Sequence, residues 1–129
     1  MPLIVVDSSG WIEFLLDGAG AAHFRPAIID INNLIVPAIA IFEVARLVLR
    51  TQTPERARSA LGYMNLGRVE PLDAPLATEA AILSVEHRLP MADSIIYATA
   101  RRFEAELWTQ DADFENLPGV RYFPKLTRP

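Results

Sequence analysis

The chain has 129 residues, of which 51% are hydrophobic and 22% charged, a length and balance that suit one globular domain over residues 1–129 and leave no room for a second. It contains no Cys, which excludes disulfides, thiolate zinc sites and a Cys nucleophile. Sixteen acids against twelve bases give a formal charge of −4, so no basic field covers the whole surface and a polyanion must be met by a local patch.

Short β-branched runs alternate with longer stretches of helical periodicity, the pattern of an α/β fold with a mostly parallel sheet of about five strands. The first predicted strand, Leu3–Val6, ends at Asp7, with Ser8, Ser9 and Gly10 directly behind it. Ligands bind at that carboxyl edge in open parallel sheets. Asp7 or Ser8 is equally suited to cap the helix predicted over Ser9–Leu16. A helix over Ala22–Ile31 and a strand over Leu34–Val36 follow.

The helix predicted over Ala38–Arg50 is apolar nearly all round and is expected to be mostly buried. Its charged residues, Glu43, Arg46 and Arg50, share one stripe. That stripe is either the mouth of a site or a solvent face with a Glu–Arg pair one turn apart. Pro54–Met64 opens on a Pro where a missing amide costs nothing. A strand over Val69–Leu72 and a helix over Pro75–Arg88 come next.

The helix over Met91–Glu104 carries Asp93 in its first turn, where a carboxylate complements the helix dipole. The spacing sets Asp93 on one face with Ile96, Tyr97 and Ala100, so this acid lies on the core side and wants a partner. The strand Leu107–Trp108 leads to Thr109 and hands Asp111 and Asp113 to a turn. Arg121–Phe123 is the last predicted strand.

Asp7, Glu43, Asp93 and Asp111 thus come from four segments. If they converge, they repel and raise one another's pKa unless a cation neutralises them. Oxygen donors without Cys favour Mg²⁺ or Mn²⁺ over Zn²⁺. Such ions support phosphodiester cleavage by water, which needs no side-chain nucleophile. His23 and His87 lack the context of an acid–base pair and read as structural or surface residues. Glu13 reads as an exposed helix acid or a rim residue. A phosphoacceptor receiver needs a pocket Lys, and Lys125 near the C-terminus is the only one. A haloacid-dehalogenase-like phosphatase needs a second Asp where this chain has Ser9.

Four pieces carry a resemblance to a known family: Ile4-Val5-Val6-Asp7-Ser8-Ser9-Gly10-Trp11-Ile12-Glu13, Phe42-Glu43-Val44, Ala92-Asp93-Ser94-Ile95-Ile96-Tyr97-Ala98-Thr99-Ala100, and Trp108-Thr109-Gln110-Asp111-Ala112-Asp113-Phe114. In this order and spacing they resemble the PIN domain, and within it the VapC-type toxin ribonucleases of bacterial toxin–antitoxin pairs. The resemblance implies a Rossmann-like parallel sheet, Mg²⁺-dependent endoribonuclease activity and a cognate VapB-like antitoxin. It makes Asp7 and Asp93 the principal metal ligands and Glu43 and Asp111 the acids completing the pocket. Asp113 shares or replaces the role of Asp111, and Ser8 and Thr109 are hydroxyl neighbours. Many relatives have Ser where this chain has Phe42, and a small residue where it has Tyr97.

The bases are eleven Arg and Lys125, a bias toward the planar fork that grips phosphate, although GC-rich coding also produces it. Arg46, Arg50, Arg101 and Arg102 are candidates for an RNA path. Tyr97 either stacks on a base or simply packs. A mean hydropathy of +0.20 suggests apolar surface reserved for a homodimer contact or an antitoxin helix, with Pro54–Met64 a candidate face. After Met1 and Pro2 only four apolar residues precede Asp7, too few for a signal-peptide core, and no run is long enough to span a bilayer, so the expectation is a cytoplasmic protein. The expected function is metal-dependent RNA cleavage by a toxin. The alternatives are a non-toxin RNA-processing nuclease and a non-catalytic RNA-binding or scaffold module.

Overall fold

The computed structural model describes residues 2–128. Five strands form one sheet: β1 (Ile4–Val6), β2 (Leu34–Pro37), β3 (Arg68–Glu70), β4 (Glu106–Thr109) and β5 (Val120–Tyr122). Six α-helices connect them: α1 (Ser8–Leu15), α2 (Ala21–Ile28), α3 (Ala38–Thr51), α4 (Pro54–Met64), α5 (Ala74–His87) and α6 (Met91–Arg102). The sheet order is β3-β2-β1-β4-β5, and every pairing is parallel. The α/β architecture expected from the periodicity is the one observed.

β1 is central and fully buried, with Val5 opposite both Ile35 and Leu107. A strand covered on both faces must be apolar throughout, which is why Ile4-Val5-Val6 shows no alternation. The chain steps outward from β1 through β2 to β3, then crosses back to β4 on the other side of β1. Helices α1–α4 lie in the connections that run outward from β1 to β3, and α5 and α6 in the connection that returns to β4. The reversal opens a crevice at the carboxyl ends of β1 and β4, the switch point at which open α/β sheets bind ligands.

The core joins Val5, Val6, Trp11, Phe24, Ile96 and Leu107 across the sheet. Gly10 makes the close approach of α1 possible, because a Cβ there would lie 2.7 Å from the Phe24 ring and from Val6. Thr53 caps α4, accepting from the Arg56 amide, and Asp73 caps α5, accepting from the Leu76 amide. The segment read as the strand Val69–Leu72 forms β3 from one residue earlier and ends two residues earlier, at an exposed edge where burial gives its boundary little definition.

One expectation is corrected. α3 is not buried all round: Ala40, Val44 and Val48 face the core, whereas Phe42 and Leu49 are 61% and 64% exposed. The helix buries one face, against α1, α4, α6 and β2, so its apolar surplus faces solvent. Among the described residues no helix is long and apolar enough to cross a membrane.

Candidate metal-binding active site

The site grows from the end of β1. Burial of Ile4–Val6 delivers Asp7 to the carboxyl edge with only 2% of its surface exposed. Asp7 is also the N-cap of α1, its Oδ1 accepting from the Gly10 amide at 3.0 Å. The two readings of this residue are compatible, since one carboxylate oxygen caps the helix while the other faces β4. Thr109 Oγ1 donates to Asp7 Oδ2 at 2.6 Å, and Ser9 Oγ donates to Oδ1 at 2.8 Å. Burial pushes the Asp7 carboxyl up to about 6, against the opposing effect of the Thr109, Gly10 and Ser9 donors.

β4 contributes the second group. Thr109, fully buried at its carboxyl end, accepts from the Asp111 amide at 2.9 Å while donating to Asp7. Asp111 caps the short 3₁₀ turn Ala112–Phe114, and its Oδ1 accepts from the Asp113 amide at 2.9 Å. That turn swings Asp113 back toward Asp93 in the first turn of α6. One carboxylate oxygen from each of Asp93, Asp111 and Asp113 lies within 4.8 Å of the others. The structure gathers Asp111 and Asp113 alike beside Asp93.

Asp93 is only partly exposed, and its carboxyl is pushed up to about 7, first by burial and then by the charges of Asp111, Asp7, Glu43 and Asp113. Glu43 approaches from α3, its Oε1 accepting from Ser8 Oγ at 2.5 Å. Five acids thus share one electrostatic neighbourhood. Among the described residues the two ion pairs are Arg68–Glu70 and Arg102–Asp73, so none of the five acids is in an ion pair. Crowded, partly desolvated carboxylates with oxygen as the sole donor type fit a hard divalent cation such as Mg²⁺ or Mn²⁺.

Ser9 was not among the site residues read from the sequence, yet it touches Asp7 and lies 3.5 Å from Thr109. The signal for it was its place two residues after Asp7, where a hydroxyl readily turns back onto the carboxylate. Glu13 is neither a free surface acid nor a pocket acid. It accepts from the Gly20 amide and from Gln110 Nε2, each at 2.9 Å, and so braces the turn between Thr109 and Asp111.

The basic candidates divide. Arg46 and Arg50 line a concavity of about 280 Å³ with Ser8 and Glu43, at the acid edge. Arg101 and Arg102 do not reach this edge. They lie at the far end of α6, about 12 Å or more along the axis from Asp93 at 1.5 Å per residue. Arg101 lines a hollow with Pro2, Glu106 and Gly119 at the amino ends of the strands. Arg102 is paired with Asp73 at 3.2 Å.

Tyr97 presents no exposed ring on which a base could stack, being 2% exposed and donating through its hydroxyl to the Pro118 carbonyl at 2.7 Å. Its ring packs against Phe114. His23 stacks on Phe123 and His87 meets the edge of Tyr97, so the two histidines serve different contacts.

Known proteins share this fold. In fold the chain is similar to a protein of a toxin–antitoxin complex from Klebsiella pneumoniae, at 25% identity with a TM-score of 0.75, covering 92% of this chain and 95% of that one. It is similar in fold to a sarcin-ricin-loop-cleaving VapC toxin of Mycobacterium tuberculosis, at 20% identity and a TM-score of 0.74, over 91% of this chain and 96% of the other. A DNA-bound VapBC complex from Salmonella typhimurium contains a further likeness, at 18% identity and a TM-score of 0.76, over 95% and 98% of the two chains. No curated protein matches the sequence. The family model of the PIN domain matches residues 4–120, and the chain belongs to the PIN domain family.

Proposed function

We propose that this protein is a divalent-cation-dependent endoribonuclease, the toxin of a VapBC-type toxin–antitoxin pair, folded as a single PIN domain over residues 1–129. The observation that carries the reading is the convergence of Asp93, Asp111 and Asp113 beside Asp7 and Glu43, none of them in an ion pair among the described residues. Asp7, Asp93, Asp111, Asp113 and Glu43 would hold Mg²⁺, with Mn²⁺ as a substitute. A cation so held supplies positive charge to phosphate oxygens and lowers the pKa of water at neutral pH.

The chain's own contribution is positioning. Thr109 and Ser9 fix the Asp7 carboxylate, the Asp111-capped turn presents Asp113, and Ser8 holds Glu43 toward the same space. Water attack at phosphorus with loss of the ribose 3′-oxygen leaves a 5′-phosphate and a 3′-hydroxyl, and needs no nucleophile from the protein. Arg46 and Arg50 stand where the strand's flanking phosphates would pass.

The toxin reading draws on the relatives found in toxin–antitoxin complexes. A concavity of about 330 Å³ between α1, α3 and α4, bordered by Leu15, Val48, Ala60 and Tyr63, suits an amphipathic antitoxin helix. The exposed Ile82 and Val85 on α5 suit a homodimer contact. An RNA substrate and a VapB-like partner place the protein in the cytoplasm.

The test compares cleavage of RNA by the wild type in Mg²⁺, by the wild type in chelator, and by Asp93→Asn at equal folded concentration. Cleavage is expected in the first case and absent in the other two. Activity that survives both chelation and the substitution overturns the reading.

A further inference from the structure

Phe42 is 61% exposed, on a helix whose buried positions Ala40 and Val44 lie two residues to either side of it. It stands directly before Glu43 and borders the 280 Å³ concavity with Ser8, Ile12, Arg46 and Arg50. Phe42, Arg46 and Arg50 recur every fourth residue of α3 and so line up along the helix, about 6 Å apart per step at 1.5 Å per residue. That step is close to the spacing of successive phosphates on an extended strand. Among the described residues neither arginine makes an ion pair, so both guanidinium forks are open to an anion.

We propose that the Phe42–Arg46–Arg50 ladder is a nucleotide subsite, in which the Phe42 ring stacks on an unpaired base beside the cleaved bond and the arginines take the phosphates that lead away from it. The inference rests on the nuclease reading above and adds to it a substrate class, single-stranded RNA with an exposed base. Three features favour nucleic acid over an apolar partner here. An exposed ring is followed along the helix by two cations that make no ion pair, the Glu43 carboxylate lies one residue farther on, and one concavity joins the ring, the arginines and Glu43. A ring face is a platform for any base, whereas a base held in a duplex has no free face to offer. Arginines one turn apart track a backbone without reading sequence.

The test uses a mixed-sequence single-stranded oligoribonucleotide of about a dozen residues carrying 2-aminopurine, whose fluorescence is quenched on stacking. Binding is followed in Ca²⁺, a hard cation that neutralises the carboxylates with looser geometry than Mg²⁺, and the same oligonucleotide is assayed for cleavage in Mg²⁺.

The wild type is expected to bind it and quench the fluorescence. Phe42→Ala is expected to abolish the quenching and weaken binding about tenfold, in the range of a missing base–aromatic stack. Phe42→Trp restores both. Arg46→Gln and Arg50→Gln each weaken binding and flatten its salt dependence while some quenching persists. The same sequence closed into a duplex binds at least about tenfold more weakly than the single strand.

If Phe42→Ala binds and quenches like a wild type that cuts RNA, the subsite is overturned and the nuclease reading stands, leaving the ring to a protein partner. Equal affinity for duplex and single strand overturns it too. If the wild type neither binds nor cuts the oligonucleotide, the nuclease reading falls and the subsite with it.

Discussion

Thr109 Oγ1 sits 2.6 Å from Asp7 Oδ2 and at the same time accepts from the Asp111 amide at 2.9 Å. One buried hydroxyl therefore ties the end of β1 to the turn after β4, the two places from which the strand-end acids come. The two strands are hydrogen-bonded neighbours, with Val6 opposite Trp108, so Asp7 and Thr109 follow at adjacent positions. Parallel pairing of these strands is what turns two distant sequence positions into one site.

Replacing that hydroxyl tests the tie directly. Thr109→Val keeps the shape but leaves Asp7 and the Asp111 amide each short of a partner, at a cost of about 1–3 kcal/mol. Urea denaturation should show that loss, and RNA cleavage should fall with it because Asp7 and Asp111 lose their common anchor. A variant as stable and active as the wild type would remove Thr109 from the site.

The raised carboxyls of Asp93, at about 7, and Asp7, at about 6, set a pH dependence. Both start from 3.8 in the unfolded chain, so between those values the folded state holds more protons than the unfolded one. Stability from these groups therefore falls as pH rises from about 4 to about 7 in the absence of cation. Asp93→Asn removes the larger share. Without divalent cation, its stability relative to the wild type should increase through this window in denaturation series at each pH. A difference that shrinks with rising pH contradicts the electrostatic account of the site.

Cation binding should reverse that balance. On the proposed reading, Mg²⁺ added at neutral pH binds the folded wild type in preference to the unfolded chain, so its Tm is expected to rise with Mg²⁺ concentration. Asp93→Asn and Asp111→Asn should show a reduced response, or none. Equal shifts in all three proteins would mean that the ion acts elsewhere.

The placement of the aromatic and basic residues on α6 gives a separate test. Tyr97→Phe removes the bond to the Pro118 carbonyl and should cost about 1 kcal/mol of stability, with RNA affinity unchanged. Arg101→Gln and Arg102→Gln should likewise leave the salt slope of RNA binding as it is, while Arg46→Gln lowers it by about 0.7 for each single-strand phosphate that the arginine neutralised. A reduced slope in the Arg102→Gln protein would place RNA on the amino edge of the sheet instead.

Much of the site was legible because it follows from local rules. An apolar run closed by Asp7, an acid in the first turn after Pro90 and a pair of acids after a short strand are each visible in a few residues. The side of a helix that faces solvent was less so. The apolar residues of α3 outnumber the positions its single packed face can bury, which left Phe42 and Leu49 outside. Arg101 and Arg102 share a helix with Asp93, but a helix has two ends, and the twelve-residue length of α6 carries its last two residues to the opposite edge of the sheet.

The sequence by itself determined the α/β alternation, the buried central strand and the residue types of an oxygen-donor site, because periodicity and side-chain chemistry are local properties. Tertiary structure decided which acids meet. The order β3-β2-β1-β4-β5 sets β1 beside β4 across a hundred residues of chain, roughly the separation of Ser9 from Thr109, and no local pattern encodes that adjacency. It also decided that Asp113 joins Asp93 and Asp111 and that Ser9 joins Thr109 on Asp7. Those contacts depend on the direction in which a turn or a cap points its side chains, and that direction is settled only when strands and helices are packed together.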